Sequence, residues 1–330
     1  MSTEFEQFKL KRIANLRNLY SLNCKRVVQY YNSLIYNVSR SNSFVKSQQI
    51  EKLMSAYKAQ ILFLSNKLDA DTKAVQALVP PTIAPSTSKK ALLIGINYIG
   101  TPYQLNGCIN DVISMSSKLT ADFGFTNIAT MTDETTMKPT RDNILREFTN
   151  LLANAQSGDL LFVLYSGHGS NVIDRNGDET DGRDEMIITS DLKGILDDDL
   201  KSIIQAKLKK DVTLFAMFDS CHSGTMLDLK YQYLDSLNYD TFTEHSSQLE
   251  TAGNVLMISG CADAQTSADA NINNKYQGAM TWSMLQTLKP NITWSDLLKN
   301  MRTALKSAGF TQLPQMSSGK IVDITNKIFL

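Results

Sequence analysis

Cysteine is scarce in this chain. Its four residues, Cys24, Cys108, Cys221 and Cys261, stand far apart with no CxxC pair. That spacing argues against a disulfide framework and a structural zinc site, and it fits a reducing, cytoplasmic compartment. Long apolar runs are missing too: no window approaches the roughly 18 uninterrupted apolar residues of a membrane span. The N-terminal stretch MSTEFEQFKLKR has no signal-peptide core. No membrane association and no nucleic-acid partner are expected. No sequence repeat is evident. With 330 residues and 42% hydrophobic content, the chain has enough material for one large packed domain and a smaller one.

The balance of 33 basic against 33 acidic residues hides a split. Residues 1–90 carry 14 Lys+Arg and 5 Asp+Glu, a charge of +9, which leaves −9 on the remainder. Two units that attract each other would produce this pattern, as would two independently solvated surfaces. In the basic part, Ile13, Leu16, Tyr20, Cys24, Val27, Tyr31, Leu34 and Val38 recur at steps of three and four. Ile50, Leu53, Tyr57, Ile61, Leu64 and Leu68 resume the pattern after a break at 39–43. The periodicity predicts a helical hairpin over residues 1–79, with Cys24 as a small core residue and with self-association as an alternative use of its stripes. Residues 80–88, rich in Pro, Ser and Thr, read as a stiff linker that ends at Lys89-Lys90, a candidate processing site.

Residues 89–330 alternate between strand and helix patterns. ALLIGIN, NIATMTD, DLLFVLYS, DVTLFAMFD and GNVLMISG read as strands. Helices are expected at NDVISMSSKLTADF before Gly124, after a cap at Thr140 or Asp142, from about Asp198 to Leu208, over GAMTWSMLQTL, and after a Thr293-x-x-Asp296 capping box. The polar stretch of about 25 residues before GNVLMISG reads as a loop, and the tail KIVDITNKIFL as a last strand. The expected class is α/β, a central mostly parallel sheet flanked by helices, with sites at the carboxyl ends of its strands.

Two of those strands end in groups that packing does not require. One runs into Asp-Ser-Cys-His-Ser-Gly and presents Cys221; the other ends with His168 between two glycines. A thiol attacking a carbonyl needs a base that can later protonate the leaving amine, and imidazole can do both. Gly169 N–H together with Cys221 N–H would form an oxyanion hole. His222 points the other way from its neighbour and reads as structural, and His245 as solvated. Asp219, two residues before the thiol, projects to the same side. With Asp111, it would select a substrate Lys or Arg; Asp111 also reads as an acid complementing a helix dipole. The run IDRNGDETDGRDE with ILDDDL calls for a hard cation, best Ca2+, or is a solvated acidic loop. Asp174, Asn176, Asp178 and Glu185 nearly spell an EF-hand, which fails at Glu179 where glycine is needed.

YSGHG, DSCHSGTMLDL and GCINDV, with ISGCADAQTSADA and GFTQLPQMSSG beyond them, resemble a metacaspase, a caspase-related cysteine peptidase of the caspase-hemoglobinase fold. The 53 residues between His168 and Cys221 lie close to the roughly 50 of the caspase signature. The likeness covers about residues 89–330, large-subunit-like over 89–228 and small-subunit-like over 250–330. The short connection between them resembles the type I arrangement. The helical N-terminal region has neither the cysteine pairs nor the Pro/Gln-rich composition common there. The resemblance implies cleavage after Arg or Lys by a His168/Cys221 dyad, with Cys108, Asp111, Ser166 and Asp219 forming the basic-residue pocket. It also implies Ca2+ activation at Asp184, Asp197, Asp198 and Asp228, with Asp181 as rival to Asp184. Expected partners are protein or peptide substrates, for a monomeric peptidase domain restrained by its N-terminal region. A non-catalytic calcium-responsive scaffold and a peptide ligase are the alternatives.

Overall fold

Helix α1 (Ser2–Ser39) and helix α2 (Lys46–Gln76) form the hairpin that the periodicity predicts. The computed structural model describes all residues other than 1, 41–45, 78–87, 174–182, 221–225, 234–242, 246–247, 261–268, 273–274 and 329–330. Every stripe residue named above is buried or half-buried, while Leu19, Leu22, Leu62 and Phe63 on other faces are exposed. The pairing is antiparallel. Lys9 Nζ donates to the Gln76 carbonyl at 3.2 Å, Tyr20 Oη donates to Asp71 Oδ2 at 2.5 Å, and the Tyr31 and Tyr57 rings meet edge-on at 5.7 Å. Cys24 is half-buried. By its internal contacts the chain divides into residues 1–82 and 83–330.

The second unit is built on an eight-stranded sheet. Its parallel part, in spatial order, is β2 (Asn127–Thr132), β1 (Lys89–Gly95), β3 (Leu160–Ser166), β7 (Thr213–Asp219) and β10 (Asn254–Ser259). Antiparallel β13 (Gln315–Ser318), β8 (Tyr231–Tyr233) and β9 (Thr243–Glu244) extend the far edge. The inner strands are apolar on both faces because helices cover both. Helices α3 (Cys108–Phe123), α6 (Ala279–Thr287) and α7 (Trp294–Ser307) share one core with Leu93, Phe162, Phe215 and Ile258. Helices α4 (Arg141–Ala153) and α5 (Asp197–Lys207) share the other with Ile94, Val163, Ala216 and Met257. In the first core, Phe162, Phe215 and Trp294 stack edge-on at 5.2 and 4.9 Å; truncating one such ring to alanine costs roughly 3–5 kcal/mol. The capping signals hold: Thr140 accepts from Asn143 N, Thr293 accepts from Asp296 N, and Gly124 ends α3 in the left-handed region.

Three expectations are corrected. The last strand is QMSS at 315–318, and beyond it the described tail forms only an isolated bridge at Lys327, with backbone bonds from Ile324, Asn326 and Ile328 to residues 292–295. The reason is a turn: the Asp323 carboxylate accepts from both N–H and Oγ1 of Thr325. The polar stretch before β10 is not all loop, since Tyr231 and Tyr233 anchor the short strand β8 in the core. Lys89 and Lys90 do not close a linker; they open β1, hydrogen-bonded between β2 and β3. Lys89 Nζ donates to the Phe123 carbonyl at 2.7 Å, and Lys90 pairs with buried Asp159 at 2.7 Å. A cut there would require the start of β1 to leave the sheet.

Two smaller sheets complete the unit: β4 (Gly169–Ile173), β5 (Arg183–Ile188) and β6 (Gly194–Leu196), and the hairpin of β11 (Asp269–Ile272) and β12 (Lys275–Gly278). Of the near EF-hand, Asp174, Asn176 and Asp178 lie outside the described residues, and Glu185 is buried in β5.

Candidate active site

Ser166 and Asp219 face each other as the last residues of β3 and β7. Strand alternation puts Phe162 and Leu164, Phe215 and Met217 into the core beneath α3 and α6, so Ser166 and Asp219 project to that same face. The Gly167 N–H bonds to the Asp219 carbonyl at 3.3 Å, tying the two strand ends together. From there one chain passes into His168 and the other through Ser220 to Cys221. Cys221 and its neighbour His222 lie outside the described residues.

Two acids meet below these strand ends. Asp111, fully buried on the first turn of α3, accepts from Ser166 Oγ at 2.7 Å and from the Gly278 N–H at 3.0 Å. Asp219, also buried, accepts from the N–H and Oγ1 of Thr281, both at 2.8 Å and both on Oδ2. Gly278 packs between them: a Cβ on it would overlap Asp219 Oδ2 and lie 2.9 Å from Asp111 Oδ2. Helix α3 is set over the strands by Asn97, whose Oδ1 accepts from the N–H of buried Cys108 at 2.9 Å. Cys108 and Asp111, three apart on one helix, share a face. Asp111, Ser166 and Asp219 are therefore linked through one hydrogen-bonded cluster, with Cys108 one turn away on α3.

His168 is held by tyrosines. Its Nε2 lies 2.8 Å from the Tyr103 carbonyl, its N–H donates to Tyr98 Oη at 2.9 Å, and its carbonyl accepts from Tyr165 Oη at 2.7 Å. The Tyr98 ring lies 4.7 Å from the imidazole, centre to centre. Burial pushes both phenols well above their ordinary range, so Tyr98 and Tyr165 stay neutral hydrogen-bonding groups. Both also bond the Ile188 carbonyl. Gly167 is required here: a Cβ would lie 2.6 Å from Tyr165 Oη and 2.9 Å from Tyr98 Oη. Gly169 opens β4 opposite Ile187.

An acidic cluster sits at the start of α5. Ligand atoms of Asp184, Asp197 and Asp198 lie within 4.8 Å of one another, two of the residues buried. Asp197 accepts from the Glu185 and Asp198 N–H groups, yet burial and then the charge of Asp228 raise its carboxyl to about 7. Asp228, at φ 45°, pairs with Lys201 at 3.2 Å, and Lys201 also reaches Asp198 at 3.8 Å. Hard oxygen donors gathered this closely fit a divalent cation such as Ca2+. Asp181 lies outside the described residues.

With this geometry in view, the comparisons are specific. The family model for the metacaspase peptidase C14 domain matches residues 89–230. Metacaspase-1 of Kluyveromyces lactis is 37% identical over 73% of this chain and 68% of its own length. Metacaspase-1 of Scheffersomyces stipitis is 38% identical over 70% and 71% respectively. The chain belongs to the metacaspase family. A crystal structure of a Geobacter sulfurreducens protein, 25% identical, superimposes with a TM-score of 0.55 over 73% of this chain and 98% of that one. The metacaspase family is one of cysteine peptidases, and the mostly parallel sheet between two helical layers is its caspase-hemoglobinase fold.

Sequence reasoning missed several groups around this metacaspase site. Tyr165 carried a signal as a strand-end tyrosine before the glycine-flanked His168, and Tyr98 as a tyrosine in the loop just after β1. The Tyr103 carbonyl and the Gly278 N–H are main-chain atoms delivered by topology and have no residue signature. Thr281 lay inside a helix pattern and looked like filler. His245 is half-buried, its Nε2 3.2 Å from Gln232 Oε1, rather than solvated. Among the described residues no helix is long and apolar enough to cross a membrane.

Proposed function

We propose that this metacaspase is a calcium-stimulated cysteine endopeptidase that cuts after Arg or Lys. The observation that carries this reading is the pairing of two buried carboxylates, Asp111 and Asp219, at the end of the strand that leads into Cys221. Buried acids of like charge are costly unless a cation joins them, and a guanidinium or ammonium ion does so. Ser166 and Cys108 complete the pocket.

In the reaction, His168 takes the proton of Cys221, and the thiolate adds to the carbonyl of the bound Arg or Lys residue. The Gly169 and Cys221 N–H groups receive the oxyanion. His168 then gives its proton to the leaving amine, and water, deprotonated by the same imidazole, releases the acid product and the thiol. Asp184, Asp197, Asp198 and Asp228 would hold Ca2+, which neutralises their repulsion and orders the segments that bear them. The basic N-terminal hairpin restrains the acidic peptidase unit electrostatically. Action as a cytoplasmic, monomeric peptidase domain belongs to the same reading.

The test is product analysis by mass spectrometry of an unfolded protein digested in the presence of calcium and an added amine. New C-termini at Arg and Lys, carrying oxygen from water, are expected. Amine adducts as the main product would make the chain a ligase instead.

A further inference from the structure

We infer that Thr281 is a positioning residue that sets the specificity carboxylate Asp219; the inference rests on the Arg/Lys reading above. Helix α6 begins at Gly278, which has no side chain to cap it. Its first turn is satisfied instead by acids from two distant elements. Gly278 N–H goes to Asp111 of α3, and Thr281 N–H and hydroxyl go to Asp219 of β7. The pocket acids thus double as the caps of this helix, and its positive end faces both of them.

Thr281 differs from four other helical threonines of this chain. Thr120, Thr149, Thr287 and Thr303 each return their hydroxyl to the carbonyl four residues back in their own helix. Thr281, fully buried, sends its hydroxyl across to the β7 carboxylate. Both of its bonds fall on Oδ2, so the carboxylate plane is fixed about that oxygen and the direction of Oδ1 follows from it. Backbone N–H supplies one of these two bonds, and the hydroxyl supplies the second. A planar guanidinium needs both the position and the plane of its carboxylate partner, so the hydroxyl acts on Arg recognition.

The experiment is steady-state cleavage of matched Arg and Lys peptide reporters by the full chain with Thr281→Val, Thr281→Ala and Thr281→Ser. The rate of Cys221 alkylation by iodoacetamide, which has no cation to bind, is measured in parallel. Val and Ala are expected to lower kcat/KM for Arg about tenfold, mainly through KM, with a smaller loss for Lys. Alkylation should be unchanged, and Ser should recover to within about threefold of the unaltered chain. Thr281→Ala carries the same expectation without requiring that a branched side chain be tolerated. If KM for Arg stays within about twofold, or if alkylation slows in step with cleavage, Thr281 is merely structural and this inference fails alone. If the unaltered chain shows no preference for Arg or Lys, both this inference and the reading beneath it fall.

Discussion

His168 Nε2 lies 2.8 Å from the main-chain carbonyl of Tyr103. A carbonyl only accepts, so Nε2 carries the hydrogen in that bond and Nδ1 is the basic nitrogen. The group that orients His168 is therefore backbone, which side-chain substitution cannot delete. His168→Ala is expected to lower kcat/KM by at least about a thousandfold. Tyr103→Ala, which removes a ring 6.5 Å from the imidazole but keeps the carbonyl, should cost less than about tenfold. The reverse ranking, measured on one Arg reporter, would show that the ring rather than the carbonyl sets the histidine.

Gly278→Ala forces a methyl group onto Asp219 Oδ2 and against Asp111 Oδ2. Neither atom is the end of a flexible side chain with room to move, since both residues are buried. The expected outcome is a loss of Arg and Lys cleavage of about a hundredfold, with circular dichroism unchanged. Ser166→Ala, which removes one donor to Asp111, should cost less than Gly278→Ala.

Asp197 supplies a pH prediction. Burial and the charge of Asp228 raise its carboxyl from 3.8 to about 7. The folded chain then binds this proton more tightly than the unfolded one, so the contribution to stability is present at low pH and is lost as pH rises toward the folded value. With calcium chelated, Asp197→Asn should melt at a higher temperature than the unaltered chain at about pH 8, and the difference should vanish near about pH 4. Saturating calcium should reverse the ranking at the higher pH, because the carboxylate becomes a ligand. A difference that does not change with pH would contradict the assignment.

Restraint by the hairpin is tested by truncation. The break belongs at residue 83, not 89, because the Ser88 carbonyl accepts the Leu160 N–H at 2.9 Å and β1 starts immediately after it. Residues 83–330 should cleave faster than the full chain and half-saturate at lower calcium, and the gap should narrow as salt screens a +7 to −7 attraction. Equal activity and equal calcium dependence would remove the hairpin from regulation.

Much of this was legible in the sequence where the signal was periodic. The hairpin stripes, the five parallel strands and the strand-end positions of His168 and Asp219 follow from steps of three and four or from runs of buried residues. Short strands such as Tyr231–Tyr233 carry too few residues to establish a period, and the tail KIVDITNKIFL alternates like a strand but is bent by Asp323. Lys89-Lys90 misled because a polar dipeptide after prolines looks like linker, whereas long lysine stems can enter a sheet and send their charge to Phe123 O and Asp159. In the site, the acids were recognisable by charge and the groups that aim them were not. Thr281 reaches Asp219 across 62 residues of sequence, and the Gly278 N–H reaches Asp111 across 167.

The most direct measurement is hydrolysis of three peptide reporters, identical except for Arg, Lys or Asp before the cut, with and without calcium. The account predicts cleavage after Arg and Lys only, a strong increase with calcium, and no activity in Cys221→Ala. Cleavage after Asp, or calcium-dependent cleavage after Arg that survives in Cys221→Ala, would contradict it.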